Sequence, residues 1–309
     1  MLTFVKNNPT GLETVGDPVG GCWINAIDPT LDEIARLQKL GIPPDFITNP
    51  LDIDERPRTE REDGKLLILL RIPYFQGETF DVPYITIPMG IILGEPYLVT
   101  ICKRNNDILQ EFASGRVKGL STTKRNRFIL RLLLGTATRY LNCLREISRA
   151  VEALEDKLQM SIRNKEVLEL LKYEKSLTYF TTALKANELM LERLQRSQMF
   201  KAYPEDEDLL EDAITENQQA IEMTNIQSNI LSGMMDAFAS IISNNLNGVI
   251  KLLTSVTLVL SFPAMVAAFY GMNVALPFDD HPLAFGLVLV IALSLSAIVA
   301  LILKKRDWF

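Results

Sequence analysis

Six small or polar side chains, Asn247, Thr254, Thr257, Ser261, Ala264 and Ala268, follow one another at steps of 7, 3, 4, 3 and 4 residues inside an otherwise apolar stretch. On a helix, that spacing gathers them on one face. In lipid, such a face turns toward protein or toward water, so the chemistry on offer is the lining of a water-filled path. Another reading stays open: Ser and Thr can bond their own backbone, and small residues can ease helix packing. Two helices from one copy cannot enclose a pore, so a path of this kind needs several copies.

Other chemistries are poorly supplied. No phosphate-binding glycine loop, no Gly-x-Ser-x-Gly turn and no Cys–His constellation is present, so an enzyme is the least expected class. The single histidine is His281, and Cys22, Cys102 and Cys143 lie far apart. Soft nitrogen and sulfur sites for a transition metal are therefore almost missing, and the thiols read as buried, reduced cysteines. A net charge of -6 argues against a nucleic-acid partner, which needs clustered Lys and Arg.

The elements that must position the polar face follow from charge and proline. Between Leu246 and Leu303 the only formally charged residues are Lys251, Asp279 and Asp280. Residues 252–270 and 283–303 carry none, and each is close to the ~20 residues that cross a bilayer. Lys251 precedes the first run, Lys304, Lys305 and Arg306 follow the second, and the loop between them has no Lys or Arg. The positive-inside rule then sets both termini in the cytoplasm, in a multi-pass protein of the cytoplasmic membrane. The start, MLTFVKNNPT, has no basic-then-apolar pattern, so no signal peptide is expected.

Upstream, Glu205 to Phe262 contains no proline, and its apolar residues recur at a helical period. Continued to Tyr270, this is one helix on the order of 100 Å long, the length of a stalk that enters a membrane. Two further long helices are expected at roughly 121–161 and 164–199, turning at 163–165. Eleven of the fifteen prolines fall between Pro9 and Pro96, so the first hundred residues should be short elements. KLLILLRIPYF (65–75) and PMGIILGEPYLVTIC (88–102) read as β-like runs. DPTLDEIARLQKL (28–40) reads as a helix starting from Asp28 and Pro29.

The expected organisation is a cytosolic α/β domain (1–120), an antiparallel long-helix hairpin (121–203) and a stalk helix (204–248). A pore-lining transmembrane helix (249–270), an external loop (271–282), a second transmembrane helix (283–303) and a basic cytosolic tail (304–309) follow.

The outer end of the polar face reads Tyr270-Gly271-Met272-Asn273. Here the chain resembles the CorA family of magnesium channels, whose signature is a Gly-Met-Asn triplet, commonly after Tyr, closing the first of two C-terminal spans. The segment SGMMDAFASIISNNLNGVIKLLT (232–254) is similar to the family's stalk-to-pore segment. The resemblance implies an α+β membrane protein, an N-terminal α/β domain with long helices forming a homopentameric funnel for Mg2+, and also for Co2+ or Ni2+. It implies that Gly271, Met272 and Asn273 form a selectivity filter in which a ring of Asn273 carbonyls holds the hydrated ion. Gly271 would free the backbone to turn. It implies that Ile250 and Leu253 form a hydrophobic constriction and that Asn247 forms a polar ring below. Ile250 stands where Met is more usual in the family, and Pro263 falls one residue earlier than in some relatives.

Six acids crowd Glu205 to Asp212, and a helix N-terminus favours them through its dipole. The resemblance adds a regulatory role for intracellular Mg2+ at contacts between copies, with Asp212 and Asp236 as candidate ligands. Asp279 and Asp280 in the external loop are candidates for drawing cations to the mouth. The rival readings are a zinc or other transition-metal transporter on the same scaffold, and a membrane-anchored coiled coil.

Overall fold

The computed structural model describes the chain except for residues 9, 10, 118, 161–163, 202, 273–282, 307 and 309. It divides into two compact units, Met1–Gly233 and Met234–Phe309.

The first unit is built on a seven-stranded sheet. Its strands are β1 (Leu2–Asn8), β2 (Gly11–Val15), β3 (Trp23–Ile27), β4 (Arg58–Glu62), β5 (Lys65–Phe75), β6 (Tyr84–Leu93) and β7 (Leu98–Cys102). The order is β2-β1-β3-β7-β6-β5-β4, with β3 and β7 parallel and every other pair antiparallel. The run expected at 88–102 is thus a hairpin. Gly94, Glu95 and Pro96 break it, and β6 returns on itself as β7.

Successive side chains of a strand point to opposite faces, and both faces here are covered. Leu66, Ile68, Leu70 and Ile72 of β5 pack beneath α3 (Asp107–Ala113), α4 (Arg125–Met160) and α5 (Asn164–Arg196). Leu67, Ile24, Val99 and Ile101 face the other way, toward α1 (Leu31–Lys39) and α2 (Pro44–Thr48). Burial on both sides explains why β5 reads as a nearly continuous apolar run. At Gly90 of β6 a side-chain carbon would stand 2.3 Å from the Pro50 ring, so the strand can pass that loop only as glycine.

The α1 helix starts later than the sequence suggested. Thr30, rather than Asp28, caps it: the Thr30 hydroxyl accepts from Glu33 N, and the Glu33 carboxylate accepts from Thr30 N. Backbone hydrogen bonding at Thr30 holds the Glu33 carboxyl below its usual pKa. Asn164 and Lys165, expected in a turn, already belong to α5.

Arg71 binds the sheet to the helices without a carboxylate partner among the described residues. Its backbone N–H donates to Asn187 Oδ1 at 2.9 Å, and its carbonyl accepts from Asn187 Nδ2 and Tyr140 Oη. The guanidinium donates to the carbonyls of Ile53, Glu55 and Thr86 and to the Thr86 hydroxyl. Planar, five-donor Arg suits this convergence of acceptors, which Lys could not match. All three cysteines are free and buried, and burial pushes the Cys102 thiol up to about 11 and the Cys143 thiol up to about 12.

A single helix, α6 (Pro204–Tyr270), opens on a proline whose missing N–H costs nothing in the first turn. Within the first unit it buries Leu210, Ala213, Asn217, Ala220, Thr224 and Leu231 at alternating three- and four-residue steps, closed by one of seven. Asn217 Nδ2 donates to Leu184 O, and Gln227 Nε2 donates to Leu144 O.

The second unit holds the rest of α6 and α7 (Ala284–Lys305). Both contain stretches long and apolar enough to cross a membrane, and little of either stretch is buried within the chain.

Candidate functional site

In the second unit α6 has two distinct faces. Ser255 is buried, and Val259, Phe262 and Val266 are half-buried. On α7, Ala292, Ser296 and Leu303 are buried and Val288 and Val299 half-buried, again at three- and four-residue steps. These two stripes are the seam between the helices, fastened where Ser296 Oγ meets Val259 O at 3.2 Å.

That contact answers a need created by the sequence. Pro263 has no N–H to give to the carbonyl four residues back, which is Val259 O. In hydrocarbon an unpartnered carbonyl is costly, and a neighbouring Ser can satisfy it. Ser296 does so while also reaching Ala292 O at 3.1 Å. The helix is continuous through Pro263.

The polar stripe lies on the other side. Asn247, Thr254, Thr257, Ser261, Ala264 and Ala268 are all exposed, and so are Ile250 and Leu253, which share their face. At ~100° per residue, the centre of this stripe lies roughly 140° around the helix from the seam. One copy therefore spends its seam residues on α7 and leaves the polar stripe exposed among the described residues.

The hydroxyl geometry joins two readings that the sequence left apart. Thr257 Oγ1 donates to Leu253 O at 2.8 Å, and Ser261 Oγ donates to Thr257 O at 2.7 Å. These hydroxyls do bond their own backbone. With the proton used inward, each oxygen keeps lone pairs directed away from the helix as acceptors. Acceptors of this kind suit the water protons around a hydrated cation, and Ile250 and Leu253 offer such an ion nothing.

At the end of α6, Gly271 N donates to Ala267 O at 2.9 Å and Met272 N donates to Phe269 O. Gly271 is not in the left-handed region that only glycine favours, so the expected backbone freedom is not what it supplies. A side-chain carbon there would sit 3.2 Å from Ala267 O, which makes glycine a matter of clearance at the helix end. Met272 is exposed. Asn273, Asp279 and Asp280 lie outside the described residues.

The acids at the start of α6 divide into two groups. Asp206 is buried and accepts from Arg127 Nε at 2.8 Å, and Glu205 accepts from Arg127 Nη2 at 2.6 Å. These two hold α6 to α4, a role that the cluster of acids concealed in the sequence. Asp212 and Asp236 are exposed and form no ion pair with any described residue. Among the described residues no three His, Cys, Asp or Glu side chains come together as a metal site within one chain.

The sequence profile of the CorA-like Mg2+ transporter protein family matches residues 19–305. A cobalt/magnesium transport protein CorA from Methanocaldococcus jannaschii is 31% identical over 298 residues, covering 93% of this chain and 90% of that protein. Its counterpart from Thermotoga maritima is 23% identical over 305 residues, covering 93% and 83%. The complete structure of the CorA magnesium transporter from Methanocaldococcus jannaschii superposes with a TM-score of 0.84 at 25% identity, covering 100% of this chain and 99% of that one.

Proposed function

The chain belongs to the CorA-like Mg2+ transporter family, and on that footing we propose that it is a channel for hydrated Mg2+ and, as a mimic, Co2+, assembled from five copies in the cytoplasmic membrane. The observation that carries this reading is the division of faces on α6. The seam residues Ser255, Val259, Phe262 and Val266 are taken by α7, while Asn247, Thr254, Thr257 and Ser261 stay free on the opposite side. Copies arranged with those free faces inward enclose a path lined by hydroxyl and amide oxygens, narrowed by Ile250 and Leu253.

Mg2+ is hard, prefers oxygen and gives up its waters reluctantly. A lining of neutral acceptors therefore handles the ion through its water shell. Asn273 would carry this furthest: repeated around the axis at the outer mouth with Gly271 and Met272, its amide carbonyls would select the hydrated ion by size and charge. Asp279 and Asp280 would raise the local cation concentration at the mouth. Both termini would lie in the cytoplasm, consistent with four Lys and Arg residues at one end of the span pair and none in the loop.

Closure by cytosolic Mg2+ belongs to the same proposal. Asp212 and Asp236 are exposed, and among the described residues of one chain neither belongs to a group of three or more ligands that could hold an ion. A second copy would have to complete each site. Repulsion between unneutralised carboxylates at those contacts would then favour opening when Mg2+ falls.

The test is uptake of Mg2+ into proteoliposomes loaded with a fluorescent indicator. Wild type should conduct, and Asn273→Ala should lose flux or pass ions without discrimination. Absence of flux from folded wild type at every internal Mg2+ level would sink the channel reading.

A further inference from the structure

The second unit contains four Lys and Arg residues, Lys251, Lys304, Lys305 and Arg306, and all four belong to one end of the helix pair. Lys251 stands one turn before Ser255 on α6, and the other three end α7 and begin the tail. The chain does not simply fray there. Arg306 N donates to Ile302 O and Leu303 O, and Trp308 N turns back to Leu303 O at 3.1 Å. Ser255 Oγ then reaches Trp308 O at 3.4 Å. This tie brings the tail of the second span against the first span, one turn from Lys251.

The four basic side chains are exposed, and none pairs with a described acid. The tail itself holds one acid, Asp307. Beside them Trp308 is half-buried, and an indole with an apolar body and a polar N–H favours the boundary between hydrocarbon and headgroups. The arrangement has the parts an acidic lipid needs: cations for the phosphate, an aromatic ring at headgroup depth, and the exposed apolar side chains of Leu252 and Leu301 for the acyl chain.

We propose that Lys251, Lys304, Lys305 and Arg306, gathered by the Ser255–Trp308 tie, form a binding site for the headgroup of an anionic phospholipid in the cytoplasmic leaflet. This rests on the membrane reading above and adds a ligand to it. The lipid phosphate would neutralise a concentration of like charge that lies one residue from Ile250. The site would thereby steady the end of α6 that carries the constriction, and its occupancy would vary with membrane composition.

The experiment uses the full-length protein in phosphatidylcholine vesicles. An equal mole fraction of brominated phosphatidylglycerol or brominated phosphatidylcholine is added, and tryptophan quenching is recorded. The other tryptophan, Trp23, is fully buried in the sheet domain, and Trp308→Phe identifies the signal that belongs to the tail. The expected result is stronger quenching by the anionic lipid, with the preference falling by up to about fivefold for each of Lys304→Gln and Lys251→Gln. Inorganic phosphate in the bulk should not displace it. Equal quenching by the two lipids would overturn the site while leaving the membrane span standing. Loss of the preference to inorganic phosphate would reassign the cations to a free anion and overturn the lipid. Absence of quenching by either lipid would count against the membrane reading itself.

Discussion

Residues 1–233 and residues 234–309 solve the problem of apolar surface in opposite ways. The first unit sends Leu67 and Ile68 to opposite faces of a sheet and covers both faces. It also partners the half-buried guanidinium of Arg71 with carbonyls and a hydroxyl. The second leaves Leu252, Leu253, Leu260, Val290 and Leu301 exposed, while each buried polar hydroxyl at its seam meets a carbonyl. A fold can therefore be complete in its hydrogen bonds and incomplete in its surroundings. The second unit leaves its apolar sides exposed, as a helix pair that crosses a membrane does.

The strongest way to break this contrast is to divide the chain. A fragment of residues 1–233 should stay monodisperse in buffer without detergent and keep cooperative thermal unfolding. Residues 234–309 should remain dispersed only in detergent or lipid. Aggregation of the first fragment, measured by light scattering, would show that its core depends on the second unit.

Within the first unit, Arg71→Met should have the next largest effect. It removes the donors of the Ile53, Glu55 and Thr86 carbonyls; the Ile53 bond is exposed and water can replace it, while the part-buried Glu55 and Thr86 bonds are worth ~1 kcal/mol each. Denaturant unfolding should register a loss of roughly 2 kcal/mol in total. A loss well under about 1 kcal/mol would mean that water replaces the guanidinium.

A smaller effect is expected at the seam of the second unit. Ser296→Ala removes the donor that Val259 O receives in place of the Pro263 N–H, and a hydrogen bond between membrane helices is worth ~0.6 kcal/mol on average. Thermal stability in detergent should fall slightly, and Pro263→Ala should suppress that loss by restoring the helix's own donor. Equal losses from Ser296→Ala with and without Pro263 would separate the two residues.

The long helices were legible in the sequence. The two uncharged runs and the proline gap after Pro96 mark the long helices, because a bilayer and a helix each impose a strict rule on composition. β5 was legible as KLLILLRIPYF because both its faces are buried. Short strands were not: RTERE (58–62) is a strand through its pairing with β5, against its own polar composition. The α1 cap was misplaced because Asp28 is also a good cap type, although Thr30-Leu31-Asp32-Glu33 already carries the Thr-x-x-Glu signature of the capping box that forms. The role of Arg71 showed in the sequence only as a charge inside an apolar strand. The partner of Pro263 could not be found at all, since Ser296 is 33 residues away on another helix. The stripe on α6 was readable, but the seam that excludes the opposite face needed both helices in place.

The central claim is that this stripe, and not the seam, surrounds the ion path. Single cysteines at Thr257 and Ser261, and at Val259 and Phe262, placed in a background with Cys22, Cys102 and Cys143 replaced, test it through Mg2+ flux in proteoliposomes treated with a small cationic thiol reagent. Modification at positions 257 and 261 should stop the flux, and modification at positions 259 and 262 should leave it unchanged. Block at 259 and 262 with none at 257 and 261 would contradict that claim.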